Sequence, residues 1–311
     1  MNHRLTVPPI KCQGIKTKLI PWLWTLVPQD FNGTWIEPFM GSGVVAFNLL
    51  PRRALLADSN PHIINFYQAI ASGQLSGSSV RHYLVREGGK LLDSQGEHYY
   101  VIRERFNQTG DSLDFLFLNR ACFNGLMRFN RKKEFNVPFC RRPSRFSSAY
   151  ITKIVNQINR VAAIIRVKDY QFSCMTYETT IRSAVPGDVI YADPPYISRH
   201  NDYYNGWDDS DEQRLATELQ GAPCRFLLST WHSNSFRSNS CLGMFWSQYH
   251  ISTREHFYHV GARENNRHPM VEALVTNYDP SELSTELDGC ETTQLGLLHP
   301  VAPGTPGNNP L

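Results

Sequence analysis

The chain has 311 residues, 41% hydrophobic and 19% charged, and a formal net charge of +3. That length and composition exclude a disordered or collagenous chain, and seven cysteines with no CxxC and no paired spacing to His exclude a zinc site and a disulfide framework. The charge is uneven: residues 281–311 hold four acids and no Lys or Arg, which leaves +7 on the body, and residues 128–145 alone carry +6 from seven bases against Glu134, the footprint of a polyanion partner.

Along the chain, Pro8-Pro9 opens a segment holding Lys11, Lys16 and Lys18, and the run through Leu19, Ile20, Leu23 and Leu26 reads as an amphipathic helix. The apolar stretch from Leu19 to Val27 is interrupted by Pro21 and is too short to span a bilayer, and no signal-peptide core is present. A reducing cytoplasm is therefore the expected location. Lysines beside a helix N-terminus can hold a carboxylate, although by themselves they read as a solvated face.

Trp35-Ile36-Glu37 reads as a strand, Phe39-Met40-Gly41-Ser42-Gly43 as a glycine turn, and the run from Val44 to Leu49 as a helix. The glycines let backbone approach a ligand and reach positive φ. A second strand, Ala54 to Ala57, ends in Asp58, placed to accept hydrogen bonds from ribose hydroxyls, and Asn60-Pro61 starts the next helix. The turn lacks the third glycine of a dinucleotide fingerprint and has Glu37 just before it. A nucleoside without a pyrophosphate is the better-fitting ligand.

From Ile63 to about Ile102 the pattern is helical. Residues Phe123 to Asn130 and Glu134 to Phe139 then flank the basic turn Arg131-Lys132-Lys133 and read as a β-hairpin. Aromatics interleaved with arginines fit a nucleic-acid surface, whereas aromatics facing the core give a purely structural hairpin. Ile151 to Ile165 reads as a helix and Tyr170 to Cys174 as a strand whose end carries Tyr177.

The stretch Val189-Ile190-Tyr191-Ala192-Asp193-Pro194-Pro195-Tyr196 reads as a buried strand running into a rigid turn. Its prolines fix φ and remove two amide donors, so a carboxylate, a free carbonyl and an aromatic face converge on one volume. That trio suits a planar ring bearing an amino group, and neither a metal nor a phosphate. The plainer reading is that the prolines end a strand, Asp193 caps the next segment and Tyr196 is core. Beyond it, Arg199 to Trp207 is a tyrosine-rich loop suited to a gate. Glu212 to Leu219 reads as a helix and Arg225 to Thr230 as a strand, and Glu255 to Val260 with Val271 to Asn277 as a last hairpin. Arg263, Asn265, Asn266, Arg267 and His268 between those arms could grip phosphates. The tail beyond Pro280 has the composition of a disordered segment.

In this order, from about Val7 to Asn277, the motifs resemble the Dam-like class (alpha group) of DNA adenine-N6 methyltransferases. The resemblance implies an α/β fold: a doubly wound, Rossmann-like methyltransferase sheet with an inserted, mostly helical target-recognition domain carrying the hairpin. The catalytic domain would comprise 1–60 and 150–280, the insertion 61–149, and a disordered tail 281–311. It implies S-adenosylmethionine as cofactor, held by Lys11, Glu37, Phe39, Gly41 and Gly43, with Asp58 on the ribose and Tyr177 on the adenine ring. Asp193 and the Pro194 carbonyl would hold the amino group of a flipped adenine, Asp193 also bordering the cofactor, and Tyr196 would stack on the base.

In the hairpin, the family pattern aromatic-Asn-Gly-Leu-x-Arg is matched by Phe123, Asn124, Gly125, Leu126 and Arg128. Phe123 would wedge into the duplex and Arg128 would read the guanine of a GAT-containing target, with Pro138, Arg141, Asn266 and Arg267 as further DNA contacts. Lys133 stands where relatives often carry glycine. The implied partners are double-stranded DNA and a restriction endonuclease sharing the target, with no membrane and no metal, and the expected state is a monomer. Methylation of RNA or of a protein glutamine, an orphan methylase of GATC sites, and a DNA-binding protein without catalysis are the alternatives.

Overall fold

The computed structural model describes residues 5–196, 207–256 and 270–284. Its centre is a seven-stranded sheet in the order β3-β2-β1-β4-β5-β7-β6. The strands are β1 (Trp35–Glu37), β2 (Arg53–Asp58), β3 (Asp169–Cys174), β4 (Val189–Ala192), β5 (Arg225–Ser233), β6 (His250–His256) and β7 (Met270–Thr276). The first five run parallel, and β7 is antiparallel to both β5 and β6. The winding reverses between β1 and β4, where Ile36 pairs with Ile190. In such sheets the crevice at the carboxyl side of the reversal is where ligands bind. The glycine turn after β1 and the Asp193 turn after β4 flank that crevice.

Burial follows the two-residue period of a strand. Trp35, Leu56, Val189 and Tyr191 face one hydrophobic cluster, and Ile36, Ile190, Ala192 and Phe226 face the other. Apolar side chains on both faces explain why β1 and β4 are buried throughout. Over the first face lie α1 (Ile20–Leu26), α2 (Ala46–Leu49), α3 (Pro61–Ala71), α4 (Gly77–Asp93), α5 (His98–Thr109), α6 (Ser112–Ala121) and α7 (Ser148–Val167). On the second lie α8 (Tyr177–Arg182), α9 (Asp209–Gln220) and α10 (Ser240–Phe245). Helix starts are set by side chains: Asn60, Asp111, Ser147 and Asp208 each accept a backbone N–H at the head of α3, α6, α7 and α9.

The segment 61–149 shares one continuous core with the sheet, because α3 packs on β2 and β3 while α4 packs on α7. Among the described residues no helix is long and apolar enough to cross a membrane.

The predicted hairpin takes a different form. Its arms run antiparallel but meet in two isolated bridges, Cys122 with Phe139 and Phe129 with Phe135, and not in a ladder. Asn124 and Gly125 are consecutive left-handed residues (φ 52° and 67°), which breaks extended backbone at the start of the first arm. The second arm is held by α5. Asn107 accepts the Phe135 N–H at 2.8 Å and donates to its carbonyl at 3.3 Å, and the Tyr99 hydroxyl donates to the Val137 carbonyl at 2.8 Å. Four backbone hydrogen bonds join the arms around these bridges, and α5 binds the outward-facing edge of the second arm, where the Phe135 N–H and carbonyl point away from the first.

Candidate functional site

The glycine turn is fixed from below and from the side. Met40 N–H donates to the Ala57 carbonyl at 2.8 Å, and Asp58 accepts the Gly41 N–H at 3.0 Å and the Asn60 N–H at 2.8 Å. Gly41 and Gly43 both have positive φ, and a Cβ on Gly43 would lie 2.6 Å from the Phe47 ring. Only glycine meets both conditions there. Burial pushes the Asp58 carboxyl up to about 6, against the opposing pull of its two N–H bonds. Each Asp58 oxygen keeps lone pairs for a hydroxyl donor. Glu37 lies beneath the turn, 2.8 Å from the Trp35 indole N–H, which sits two residues away on the same strand face. Burial raises its carboxyl to about 8, opposed by bonds from Trp35 and the Ala46 backbone and reinforced by the charge of Asp193.

Across the crevice from the turn, the Tyr177 ring stacks on Phe39 at 5.2 Å, and Trp207 meets both rings at 5.6–5.7 Å. The Tyr177 hydroxyl is buried without a hydrogen-bond partner. Lys11 lies in the segment ahead of α1. Its backbone exchanges two hydrogen bonds with the Asn119 side chain (2.7 and 2.9 Å), and its aliphatic stem covers Gly125 so closely that a Cβ there would sit 2.5 Å away. Burial lowers its ammonium, with Arg145 and Arg120 adding to the effect. The neighbouring Cys12 reaches Gly41, so this one segment ties the glycine turn to the root of the hairpin.

Asp193 is 21% exposed and pairs with the Lys16 ammonium at 3.1 Å. Lys16 itself is only 3% exposed, so of the three lysines expected on a solvated face this one is core. It donates to the Tyr196 hydroxyl at 2.6 Å and lies 3.8 Å from Glu272, which in turn accepts the Tyr196 hydroxyl proton. Ser229 of β5 stands 3.5 Å from the same hydroxyl. Burial raises the Asp193 carboxyl above the ordinary range; Lys16 opposes that shift and Glu272 adds to it. The plainer reading of this stretch holds for Tyr196 in that it is buried, and its hydroxyl in addition joins an ionic cluster.

Of the hairpin residues, Phe123 is 51% exposed, Asn124, Pro138 and Arg141 are exposed, and Leu126 and Arg128 are half-buried. Arg128 Nε donates to Asn136 at 2.9 Å, and Phe129 stacks on His62 at 5.1 Å. Phe135, Val137 and Phe139 are buried, so the core reading holds for Phe135 and Phe139, while Phe123 faces solvent. At the tip the Asn130 carbonyl accepts the Lys133 N–H at 2.9 Å, and Asn130 N–H donates to the Glu134 carbonyl at 2.9 Å. Lys133 has φ 66°, the left-handed place that such three-residue turns reserve for glycine. Asn266 and Arg267, the gate expected over Arg199 to Trp207 except for Trp207 itself, and residues 285–311 of the tail expected over 281–311 lie outside the described residues.

Sequence reasoning missed Lys16, Ser229 and Glu272. A signal existed for two of them, since Ser229 and Glu272 interrupt the apolar runs Phe226–Trp231 and Met270–Val275. A carboxylate in a buried strand needs a partner. Nothing local singles out Lys16 from its neighbours.

Comparison with known proteins adds the family context. The profile of a family described as D12 class N6 adenine-specific DNA methyltransferase matches residues 13–265. The Type II methyltransferase M1.LlaDCHI of Lactococcus lactis subsp. cremoris is 28% identical over 281 residues, 87% of this chain and 95% of that protein. A DNA adenine methylase of Vibrio cholerae is 36% identical over 60% of this chain and 64% of its own length. The DNA N-6-adenine-methyltransferase of Escherichia phage P1 is 35% identical over 68% of this chain and 28% of its own length.

Proposed function

The chain belongs to the D12 class of N6 adenine-specific DNA methyltransferases, and from that premise we propose that it methylates adenine in a GAT-containing duplex site, GATATC, with S-adenosylmethionine as donor. Its motifs resemble those of the modification methylase of the EcoRV restriction-modification system, and the proposed role is protection of DNA from an endonuclease sharing the site. The protein would act in the cytoplasm as a monomer. One observation carries the reading: the Asp193 turn and the glycine turn flank the crevice where the sheet reverses.

The donor set fits the proposed cofactor. Asp58 can accept ribose hydroxyls, the Phe39–Gly43 backbone gives close approach, and Tyr177 with Phe39 and Trp207 offers an aromatic wall with one unpartnered hydroxyl. Glu37 braces the turn from beneath, and Lys11 acts through the segment that joins the turn to the hairpin. The cofactor, when bound, supplies an electrophilic methyl group on a sulfonium.

The chain's own residues prepare the nucleophile. An adenine amino nitrogen is weakly nucleophilic because its lone pair is delocalised into the ring. Asp193 and the Pro194 carbonyl, accepting from both amino hydrogens, favour pyramidal nitrogen and free that pair for in-line attack. Asp193 then receives the proton that becomes acidic after transfer. Tyr196 stacks on the base, which must leave the helix at a cost of a few kcal/mol. Phe123 as wedge, with Asn124, Leu126 and Pro138 lining it, offsets that cost. The bases around Arg141, with Asn266 and Arg267, hold phosphates, and Arg128 reads guanine. Residues 61–149 are thus proposed as the target-recognition part and 1–60 with 150–280 as the catalytic part.

Transfer of labelled methyl groups to duplexes tests the proposal. Transfer to GATATC alone is expected, equal transfer to GATC in other contexts would point to a relaxed Dam-like enzyme, and transfer to RNA or protein but not DNA would overturn it.

A further inference from the structure

We propose that Glu272 is a positioning residue for the methylation site, acting through Lys16 and the Tyr196 hydroxyl to hold the Asp193-Pro194-Pro195-Tyr196 turn in its reactive arrangement. The inference rests on the function proposed above. Glu272 sits on β7, two strands away from the β4 strand that carries Asp193, and is fully buried within an otherwise apolar strand. A buried carboxylate costs free energy unless bonded and paired. Here it accepts the Tyr196 hydroxyl proton and lies 3.8 Å from Lys16, which pairs with Asp193 at 3.1 Å and donates to Tyr196 at 2.6 Å. Two acids share one lysine, and the tyrosine bridges lysine and the deeper acid.

The arrangement fixes both functional groups of the turn. The Tyr196 ring is pinned at its far end, so its orientation does not depend on the base it would stack against. The Asp193 carboxylate is anchored through Oδ1 by Lys16, with the Ser229 hydroxyl as a second partner. Glu272 and Lys16 also act on the charge of Asp193 in opposite senses: the carboxylate disfavours its ionised form and the ammonium favours it. The groups facing Asp193 are Lys16 from the N-terminal segment, Glu37 from β1, Tyr191 from β4, Tyr196 from its own turn, Ser229 from β5 and Glu272 from β7. His256 of β6 faces Lys16 and Glu272 from the sheet edge, with Lys18 and Arg254 near it.

The test is single-turnover methyl transfer to duplex DNA by the full chain between pH 5.5 and 9, for wild type, Glu272→Gln and Lys16→Met. Asp193 must be ionised to receive the amino proton, so its titration sets the acidic limb of the profile. Glu272→Gln removes a negative neighbour and should move that limb to lower pH, and Lys16→Met removes a positive one and should move it higher. The rate constant of Glu272→Gln should fall by on the order of ten- to a hundredfold, the usual loss for an outer partner of a catalytic group. Its affinities for DNA and cofactor should stay within about twofold, since it touches neither. A second measurement covers variants that fold poorly. In a Tyr196→Phe background the rate effect of Glu272→Gln should shrink, because the hydroxyl route is gone and only the Lys16 contact remains. Limbs that stay still or move together, or full additivity with Tyr196→Phe, would overturn the proposal. A wild type that methylates no DNA would overturn the functional reading and this one with it.

Discussion

The carboxyl end of β4 and the hairpin of 123–139 are built on opposite terms. At β4, parallel strands buried on both faces end in a proline-stiffened turn, and an ionic cluster drawn from three distant parts of the chain locks it. At the hairpin, two isolated bridges and side chains from α5 hold arms whose Phe123, Arg131, Lys132, Lys133 and Arg141 project outward. Chemistry that tolerates little misplacement is set in a dry, cross-braced site. A surface that must meet a long polyanion keeps its charges solvated and lightly braced.

The division can be tested at each end, beginning with the largest effect. Asp193→Ala should lower methyl transfer by about a thousandfold or more, the scale for loss of a group aligned on developing charge, while calorimetry shows cofactor binding preserved. Lost binding with retained turnover would move the chemistry away from β4. Arg128→Ala should relax discrimination at one guanine by about 1 to 3 kcal/mol, read from rates on single-substituted duplexes. Unchanged discrimination would mean that the arm is out of register with the DNA. Lys133→Gly should raise thermal stability by about 1 kcal/mol, because a left-handed lysine is strained where glycine is not. Melting curves that do not rise would show the strain to be relieved elsewhere.

The last test is a pH dependence. Burial raises the Glu37 carboxyl from 4.5 to about 8, so the folded protein keeps its proton where the unfolded chain has lost it. An acid raised in the fold costs stability as pH climbs from its unfolded to its folded value. Glu37→Gln carries no such term. The melting temperature of the variant minus that of the wild type should therefore rise from pH 4.5 to 8 and then level, whatever constant offset the amide adds. A gap independent of pH would mean that Glu37 is already ionised in the fold.

These contrasts also show what the amino-acid sequence can reveal. The glycine turn, the Asp58 strand end and the Asp193 turn were legible because each is local: a strand, a breaker and a polar residue within a few positions. The same holds for Lys133, whose place at a left-handed tip follows from the turn around Asn130. The ionic cluster was illegible because its bonds join residues 180 and 76 positions apart. The hairpin was read as a ladder because its alternation is real, but the turn Phe123–Gly125, with left-handed Asn124 and Gly125, throws the two bridges Cys122–Phe139 and Phe129–Phe135 out of a common register. Lys11 was assigned to the cofactor from its motif, and its contacts with Asn119 and Gly125, at the root of the hairpin, were not legible there.

The most direct measurement compares Asp193→Ala and Arg128→Ala in one assay, with single-turnover rates on GATATC and on duplexes altered at one base. If chemistry resides at β4 and choice in the hairpin, Asp193→Ala depresses every rate in proportion and keeps the ranking, and Arg128→Ala compresses the ranking. Parallel loss on all duplexes for both variants would contradict that separation.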